Sequence, residues 1–319
     1  MEKVLVIGGS GHVSGAVVRA ALSAGYEVVT LTRGSRPAVG TVRELHADRH
    51  DQSAVDKALA EIAGEKFAAV IDCIGFNAQD MQQDLECFAP MTGHLLFIST
   101  DWVYEPTLRR YPQPVENSPY LTGDHDGFEA YGWGKLMAEN YLREHAPKGL
   151  NYTIFRPCHI YGMPSELGCF PGHCRDAELI ARLLRGETLE MVDDGRLLQQ
   201  PIDCDDLART LISAIGNAKS YGKAFNMAGP DIVESRQYYQ IIADVLNVEL
   251  HTRDIDYSEY LAAHPNHRPF LFHRIYTQND LQDVGLHVPS IPLAEGLKKH
   301  TLELRRKKVC KISKRHVLA

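Results

Sequence analysis

The sequence predicts a doubly wound α/β fold, a parallel sheet covered by helices on both faces, with a smaller C-terminal α/β region. Three observations carry that prediction. Apolar runs and helical stretches alternate over residues 1–162 in repeated strand–helix units. The first run, Lys3–Ile7, is unbroken, as a strand buried on both faces requires. Their C-terminal ends gather glycine, threonine and proline, at the sheet edge where such folds bind ligands.

Lys3–Ile7 reads as a buried strand ended by glycine. Gly8-Gly9-Ser10-Gly11-His12-Val13-Ser14-Gly15 follows, and Val13, Ala16, Val17, Ala20, Ala21 and Ala24 then recur at helical spacing. Gly25-Tyr26 ends that helix, and Glu27–Thr32 makes a second strand. Strand, glycine turn, helix and strand within about 30 residues is the context a dinucleotide-binding turn requires. Glycines let the backbone approach a pyrophosphate, and the helix N-terminus attracts its charge.

After the second strand an acidic residue would accept hydrogen bonds from the ribose of NAD. This chain has Thr32-Arg33-Gly34-Ser35-Arg36 instead. Arg33 and Arg36, with Ser35, suit the 2′-phosphate of NADP. A solvated basic loop is the other reading. NADP(H) is the expected cofactor, with NAD as the alternative.

The alternation continues with a short strand around Val42–Leu45 and a helix burying Val55, Ala58, Leu59 and Ile62. Phe67–Asp72 is a strand that closes at Cys73-Ile74-Gly75-Phe76, and a helix with Met81, Leu85 and Phe88 follows. His94–Ser99 is the next strand, ending Ser99-Thr100-Asp101-Trp102-Val103-Tyr104. A Pro-rich connection leads to a helix around Tyr131 whose buried stripe is Leu136, Ala138 and Leu142, and Asn151–Arg156 is another strand. Residues 1–162 form the expected dinucleotide-binding domain, with elements near 201–228 returning to it.

Residues 163–304 are expected to be mainly a substrate-binding region. It opens on an irregular loop, Met163–Arg175, and continues with a helix through Leu179, Leu183 and Leu184 and a strand at Leu189–Val192. A helix over Asp205–Ile215, a strand at Ala224–Met227, a helix with Tyr238, Ile241, Ile242 and Val245 and a strand near Val248–Thr252 follow. Residues 305–319 read as a basic tail, solvated or disordered.

Within the helix around Tyr131, Tyr131 and Lys135 lie four apart and share one face. A phenol ordinarily titrates near 10. A neighbouring ammonium favours the phenolate and brings the tyrosine toward working pH, so the pair is suited to alcohol–ketone interconversion. Tyr-x-x-x-Lys alone also occurs by chance in helices.

With 319 residues, 44% hydrophobic and 24% charged, the chain is long enough for a large core or two. No apolar run approaches the ~20 residues of a membrane span, and Met1-Glu2-Lys3 leads into a strand without a signal-peptide layout. Seven cysteines, odd and scattered, fit reduced thiols in a cytoplasm. Net charge is −7, although residues 305–315 carry seven basic side chains and no acid. An acidic body gives no support to a nucleic-acid-binding surface outside that tail.

The glycine turn, Ser99-Thr100, Tyr131-x-x-x-Lys135 and Arg156-Pro157-x-x-Ile160-Tyr161-Gly162 occur in an order and spacing that resembles the extended and atypical short-chain dehydrogenase/reductase superfamily. That superfamily holds NAD(P)-dependent nucleotide-sugar epimerases, dehydratases and reductases on a Rossmann fold. Asp194-Gly195, Pro201 to Ala208, Phe225 to Pro230 and Asp280 to Leu286 look like its later segments.

The resemblance implies Thr100, Tyr131 and Lys135 as catalytic residues: the hydrogen bond to the reacting oxygen, the acid/base, and the ribose-binding residue that lowers the tyrosine pKa. It also implies that Gly8, Ser10, Gly11, His12 and Val13 hold the pyrophosphate and Asp48 and Arg49 flank adenine. Ile74 and Gly75 would lie by the ribose and Pro157 by the nicotinamide. A homodimer is implied as well. Asp101 and Trp102 fall on the substrate side, where the dehydratases carry an Asp followed by a Glu. Trp102 in the second place argues against water elimination. Ser14 stands where the family has a third glycine, as in its atypical members, and Glu105 replaces a common glycine.

His159, two residues beyond Pro157, and His173 are candidate substrate contacts; His159 reads equally as a packed histidine. Cys169, His173 and Cys174 lie close together, but no paired ligand set follows, so no metal is expected. Asp203, Asp205 and Asp206 look like a carboxylate cluster, with Asp205 read as a helix N-cap.

The expected function is hydride transfer at a secondary alcohol or ketone carbon of a nucleotide-linked sugar, with epimerisation as the net result. NADPH-dependent reduction of a sugar or other small ketone is the alternative. A non-catalytic dinucleotide-sensing or RNA-binding protein on the same fold is the alternative from another class.

Overall fold

The computed structural model describes residues 1–123 and 127–317, with all of their side chains except those of 127–128 and 308–317. The chain divides into two compact units. One comprises Met1–Cys158, Asp205–Met227 and Thr277–Val288; the other comprises His159–Cys204, Ala228–Tyr276 and Pro289–Ala319. The return of residues 277–288 to the first unit has no counterpart in the sequence pattern.

The first unit is built on a seven-stranded parallel sheet. Its strands are β1 (Lys3–Ile7), β2 (Glu27–Thr32), β3 (Arg43–His46), β4 (Ala69–Asp72), β5 (His94–Ile98), β6 (Asn151–Pro157) and the late strand Lys223–Met227. The order runs from the late strand through β6, β5, β4, β1 and β2 to β3. Every neighbouring pair is parallel. Strand order reverses between β1 and β4, which opens a crevice at their carboxyl ends. β4 and β5 are buried along their whole length, which is why their sequences read as unbroken apolar runs.

The crossover helices include α1 (His12–Ser23), α2 (Gln52–Ala60), α3 (Ala78–Gln83) and α4 (Gly127–His145). Asp51 caps α2 by accepting from Ala54 N, and Asn77 caps α3 by accepting from Asp80 N. The helix expected to carry Met81, Leu85 and Phe88 is not one regular helix. α3 ends at Gln83 and widens into a π-helical turn, Asp84–Phe88. Asp84 and Phe88 both lie in the interior there.

In the second unit, Leu189–Val192 pairs in parallel with Thr252–Ile255. The strand expected at Val248–Thr252 therefore starts later, and Val248 and Leu250 instead pack against this unit's core. That core gathers Leu179, Leu183, Tyr238, Tyr239, Ile242, Leu293 and Leu297. Leu184, on the same helix as Leu179 and Leu183, is 46% exposed. The helix Leu293–Val317 continues through the basic segment. The solvation of the tail's side chains from 308 onward lies outside the described residues. No helix among the described residues is long and apolar enough to cross a membrane.

Candidate active site

The glycine turn leaves β1 with positive φ at Gly8 (104°) and Gly9 (149°). A Cβ on Gly9 would lie 2.8 Å from Thr30 Cγ2 on β2, so a side chain there would push the turn off the sheet. Gly11 is the N-cap of α1. Ser14, one turn in, accepts a hydrogen bond from Gly11 N at 3.0 Å. A serine hydroxyl thus braces the turn from the position where a third glycine was expected.

A cavity of about 390 Å³ opens beside this turn. Gly8, Ser10 and Gly11 line one side, Arg33 and Arg36 another, and Asp48, Arg49 and Ile74 complete it. His12, Val13, Gly75 and Pro157 are not among its lining residues. Backbone of a helix N-terminus on one side and two guanidinium groups on another fit a phosphorylated nucleoside. Arg49 reaches this cavity, but its guanidinium is committed elsewhere. It donates to Asp72 at 3.2 and 3.3 Å, to Asp84 Oδ1 at 2.9 Å and to the Asp80 carbonyl at 2.7 Å.

Asp72, at the end of β4, is fully buried and accepts from the amides of Ile74 (2.8 Å) and Gly75 (2.9 Å). Burial pushes its carboxyl up most, but the Arg49 guanidinium, the side chain of Asp84, the Ile74 amide and the Lys135 charge together hold it below the usual carboxylate range. Asp84 behaves oppositely. Burial, and the charge of Asp72 beside it, hold its carboxyl well above the ordinary value. Asp84 Oδ2 meets no donor, which suits a carboxyl whose neutral form is favoured.

Lys135 on α4 is buried, and its ammonium donates to the carbonyls of Gly75 (2.5 Å) and Ile98 (2.6 Å). The rings of Phe76 and Phe97 each lie 4.9 Å from Nζ. Burial lowers its pKa to about 8, opposed by the charge of Asp72. One turn earlier on the same face, Tyr131 is 41% exposed. Its ring meets Trp102 edge-on at 5.8 Å and Phe76 at 6.1 Å. An exposed phenol therefore stands one turn from a buried ammonium.

Thr100 follows β5 and is buried; its Oγ1 accepts from Trp102 N at 3.3 Å and lies 3.4 Å from Asp101 Oδ1. Lys135 is tied to Ile98, two residues before Thr100, so α4 and the end of β5 form one corner. Asp101 is buried against Arg109, with 3.8 Å between Oδ2 and Nη2. Glu105 has a local duty: its Oε1 accepts from Thr107 N and Oγ1.

The histidines of the second unit are held by their own surroundings. His159 is buried, edge-on to Phe170 at 6.1 Å and to Tyr238 at 6.0 Å. His173 meets the Glu190 carbonyl at 3.0 Å through Nε2 and Arg182 at 3.3 Å through Nδ1, so both ring nitrogens are engaged. Asp205 is the second residue of helix Cys204–Ser213 rather than its cap, and it pairs with Arg19 at 2.6 Å.

Four residues of this corner escape sequence reasoning: Asp72, Asp80, Asp84 and Phe76. The available signal was the lone acid closing an otherwise apolar strand, with two more acids four apart on the following helix.

A parallel sheet of this order, with a glycine turn behind its first strand, is the architecture of the dinucleotide-binding α/β folds. The chain belongs to the NAD dependent epimerase/dehydratase family, whose model matches residues 4–228. It is 25% identical over 249 residues to the chloroplast stem-loop binding protein of 41 kDa b of Arabidopsis thaliana, covering 73% of this chain and 60% of that protein. It is 26% identical over 248 residues to the 2′-dehydrokanamycin reductase of Streptomyces kanamyceticus, covering 76% and 66%. The chain thus spans about three fifths to two thirds of the length of these curated relatives. The fold is similar to that of UDP-glucose 4-epimerase from Thermotoga maritima, solved with UDP-glucose. The TM-score is 0.72, with 18% identity and 96% and 99% of the two chains covered.

Proposed function

We propose that the protein is an NADP(H)-linked oxidoreductase or epimerase acting at a secondary alcohol or ketone carbon of a sugar, with a nucleotide-linked sugar as the favoured substrate. The observation that carries this reading is the half-exposed Tyr131 phenol one helical turn from the buried, twice-accepted Lys135 ammonium. A bound nicotinamide would supply the hydride chemistry. The protein's part is the proton. Tyr131 gives or takes it at the reacting oxygen, the Lys135 cation favours the phenolate, and Thr100 Oγ1 steadies the oxygen as charge develops.

Retention of a ketone intermediate and its return on the other face make the net reaction an epimerisation. Release of the alcohol makes it a reduction, the reading supported by the arginines of the cavity and by the kanamycin-series reductase among the relatives. Support for NADP over NAD comes from Arg33 and Arg36, since an NAD site would present an acid there.

Two measurements test this. With a panel of UDP-sugars and keto-sugars, Tyr131→Phe should abolish the turnover that the wild type shows while NADPH binding stays nearly unchanged; retained turnover refutes the role of Tyr131. Arg33→Ala should weaken NADPH by roughly tenfold or more, as loss of a charge-assisted phosphate contact does, and leave NADH almost untouched. Equal losses would remove the case for NADP.

A second reading rests on the Arabidopsis relative, named for stem-loop binding, and on the basic segment 305–315 carried by the last helix. Filter binding of a stem-loop RNA to the full chain and to a chain ending at residue 304 separates the two. Tight, tail-dependent binding without NADPH affinity favours the RNA-binding reading.

A further inference from the structure

We propose that Arg49, Asp72 and Asp80 form a positioning device for Lys135, in which two carboxylates clamp the loop that receives the ammonium and supply the buried negative charge that keeps it protonated. The inference rests on the reading of Tyr131 and Lys135 as an acid/base pair and assigns residues that this reading does not use.

The geometry is a chain of direct bonds. Three successive amides of the loop after β4 donate to carboxylates: Ile74 N and Gly75 N to Asp72 Oδ1 at 2.8 and 2.9 Å, and Phe76 N to Asp80 Oδ2 at 2.6 Å. The loop sits so tightly on Asp72 that a Cβ on Gly75 would lie 2.1 Å from Asp72 Oδ2. The carbonyl of that same Gly75 accepts from Lys135. The position of the ammonium is therefore inherited from the position of Asp72, and Arg49 fixes Asp72 in turn.

The charges point the same way. Asp72 and Cys73 act on Lys135 from the end of β4, Arg49 from the segment after β3 and Asp80 from α3. Burial pushes the Cys73 thiol far up, so it is neutral. On the helix of Lys135 itself, Glu139 is committed to Arg156 and Arg143, and Tyr131 is the group to be served. Burial and the charge of Asp72 hold the Asp84 carboxyl well above its ordinary value, which favours its neutral form. Two carboxylates therefore face one guanidinium, and the surplus negative charge lies beside the ammonium. Burial alone would strip the proton from Lys135, and a neutral amine would not lower the pKa of Tyr131.

The test is ¹³Cε NMR of lysine-labelled full-length protein, with the Lys135 signal assigned by its loss in Lys135→Met. The wild-type signal should titrate at about 8. Asp72→Asn, which keeps an acceptor for the two amides, should lower the midpoint by about one unit or more. Asp80→Asn should lower it by less, and Asp84→Asn should not lower it. If Asp72→Asn does not fold, Asp80→Asn alone carries the test through the same downward shift. A purely structural role for Asp72 would lower the melting temperature and leave the Lys135 midpoint in place. Unmoved midpoints in the folded variants overturn the proposal. Because this readout needs neither cofactor nor substrate, its failure is separable from inactivity of Tyr131→Phe, which tests the catalytic reading.

Discussion

Arg156 meets a single buried carboxylate, Glu139, in a two-point pair, Nε to Oε1 at 3.0 Å and Nη2 to Oε2 at 2.6 Å. Arg49, equally buried, faces three carboxylates and satisfies none of them in that way. Around Arg156 the remaining valences are closed as well: the Tyr104 and Tyr120 hydroxyls accept from it, and Ser99 and the Arg143 guanidinium, the latter at 2.7 Å, donate to Glu139. Around Arg49 the remaining valences go to a loop and, through it, to Lys135. A carboxylate fully partnered by guanidiniums fixes the fold, whereas a cluster with more carboxylates than guanidiniums keeps a charge in reserve for another group. α4 spans both, since Lys135 and Glu139 lie one turn apart on it.

The comparison breaks most visibly at Glu139. Glu139→Gln keeps the shape and leaves the Arg156 guanidinium buried without its counter-charge. Removing one partner of a buried pair costs about 3–5 kcal/mol, so denaturant unfolding should show a loss of that order. A loss below about 1 kcal/mol, the range of exposed pairs, would deny Arg156–Glu139 its structural role.

The other end of α4 is seated by glycine. A Cβ on Gly132 would lie 2.3 Å from the Trp102 carbonyl, and one on Gly134 would lie 2.6 Å from the Phe76 carbonyl. Gly134→Ala therefore drives α4 away from the loop that Asp72 and Asp80 hold. Overpacking costs about 1–3 kcal/mol, partly offset by about 1 kcal/mol of better helix propensity for alanine. Turnover should fall much further than stability, because the displaced group is the turn that carries Lys135. Proportionate losses in both would place the glycine in packing alone.

Those glycines show how far the sequence could be read. Tyr131 and Lys135 are legible because helical periodicity puts residues four apart on one face, whatever surrounds them. β1 is legible because a buried strand reads as an unbroken apolar run, and β2 and Leu189–Val192 because Thr30 and Glu190 are the single polar breaks in their interiors. Gly132 and Gly134 carry no such mark, since the carbonyls they admit arrive from loops 30 and 58 residues earlier. Arg49, Asp72, Asp80 and Asp84 belong to different elements and meet only once the sheet has formed. Sequence reasoning accordingly placed Arg49 beside adenine and left the three acids unassigned. Strand Thr252–Ile255 starts later than the expected Val248–Thr252 for a related reason. Its polar sequence gains strand geometry from pairing with Leu189–Val192, while the more apolar Val248 and Leu250 pack as loop.

The smallest expected effect separates the clusters by the sign of their pH dependence. Burial raises the Glu139 carboxyl most, but Arg156, Arg143 and the Ser99 hydroxyl together hold the group below its ordinary 4.5. The stability Glu139 contributes is therefore present above that ordinary value and is lost as pH falls through the lowered one. Asp84 is held above its ordinary 3.8 by burial and by Asp72. Its contribution is full below 3.8 and is lost as pH rises through the folded value. Asp84→Asn keeps a neutral hydrogen-bonding group of similar size, so at low pH the cost should stay near the 0.5–1.5 kcal/mol of one neutral hydrogen bond, roughly. As pH rises from about 4 toward 8, the wild type should lose melting temperature relative to Asp84→Asn, because the variant has no proton there to surrender. Differential scanning calorimetry of both proteins across that range reads the divergence. Parallel curves would mean that Asp84 is ionised when folded, and that the Arg49 cluster carries one more negative charge beside Lys135 than its geometry assigns.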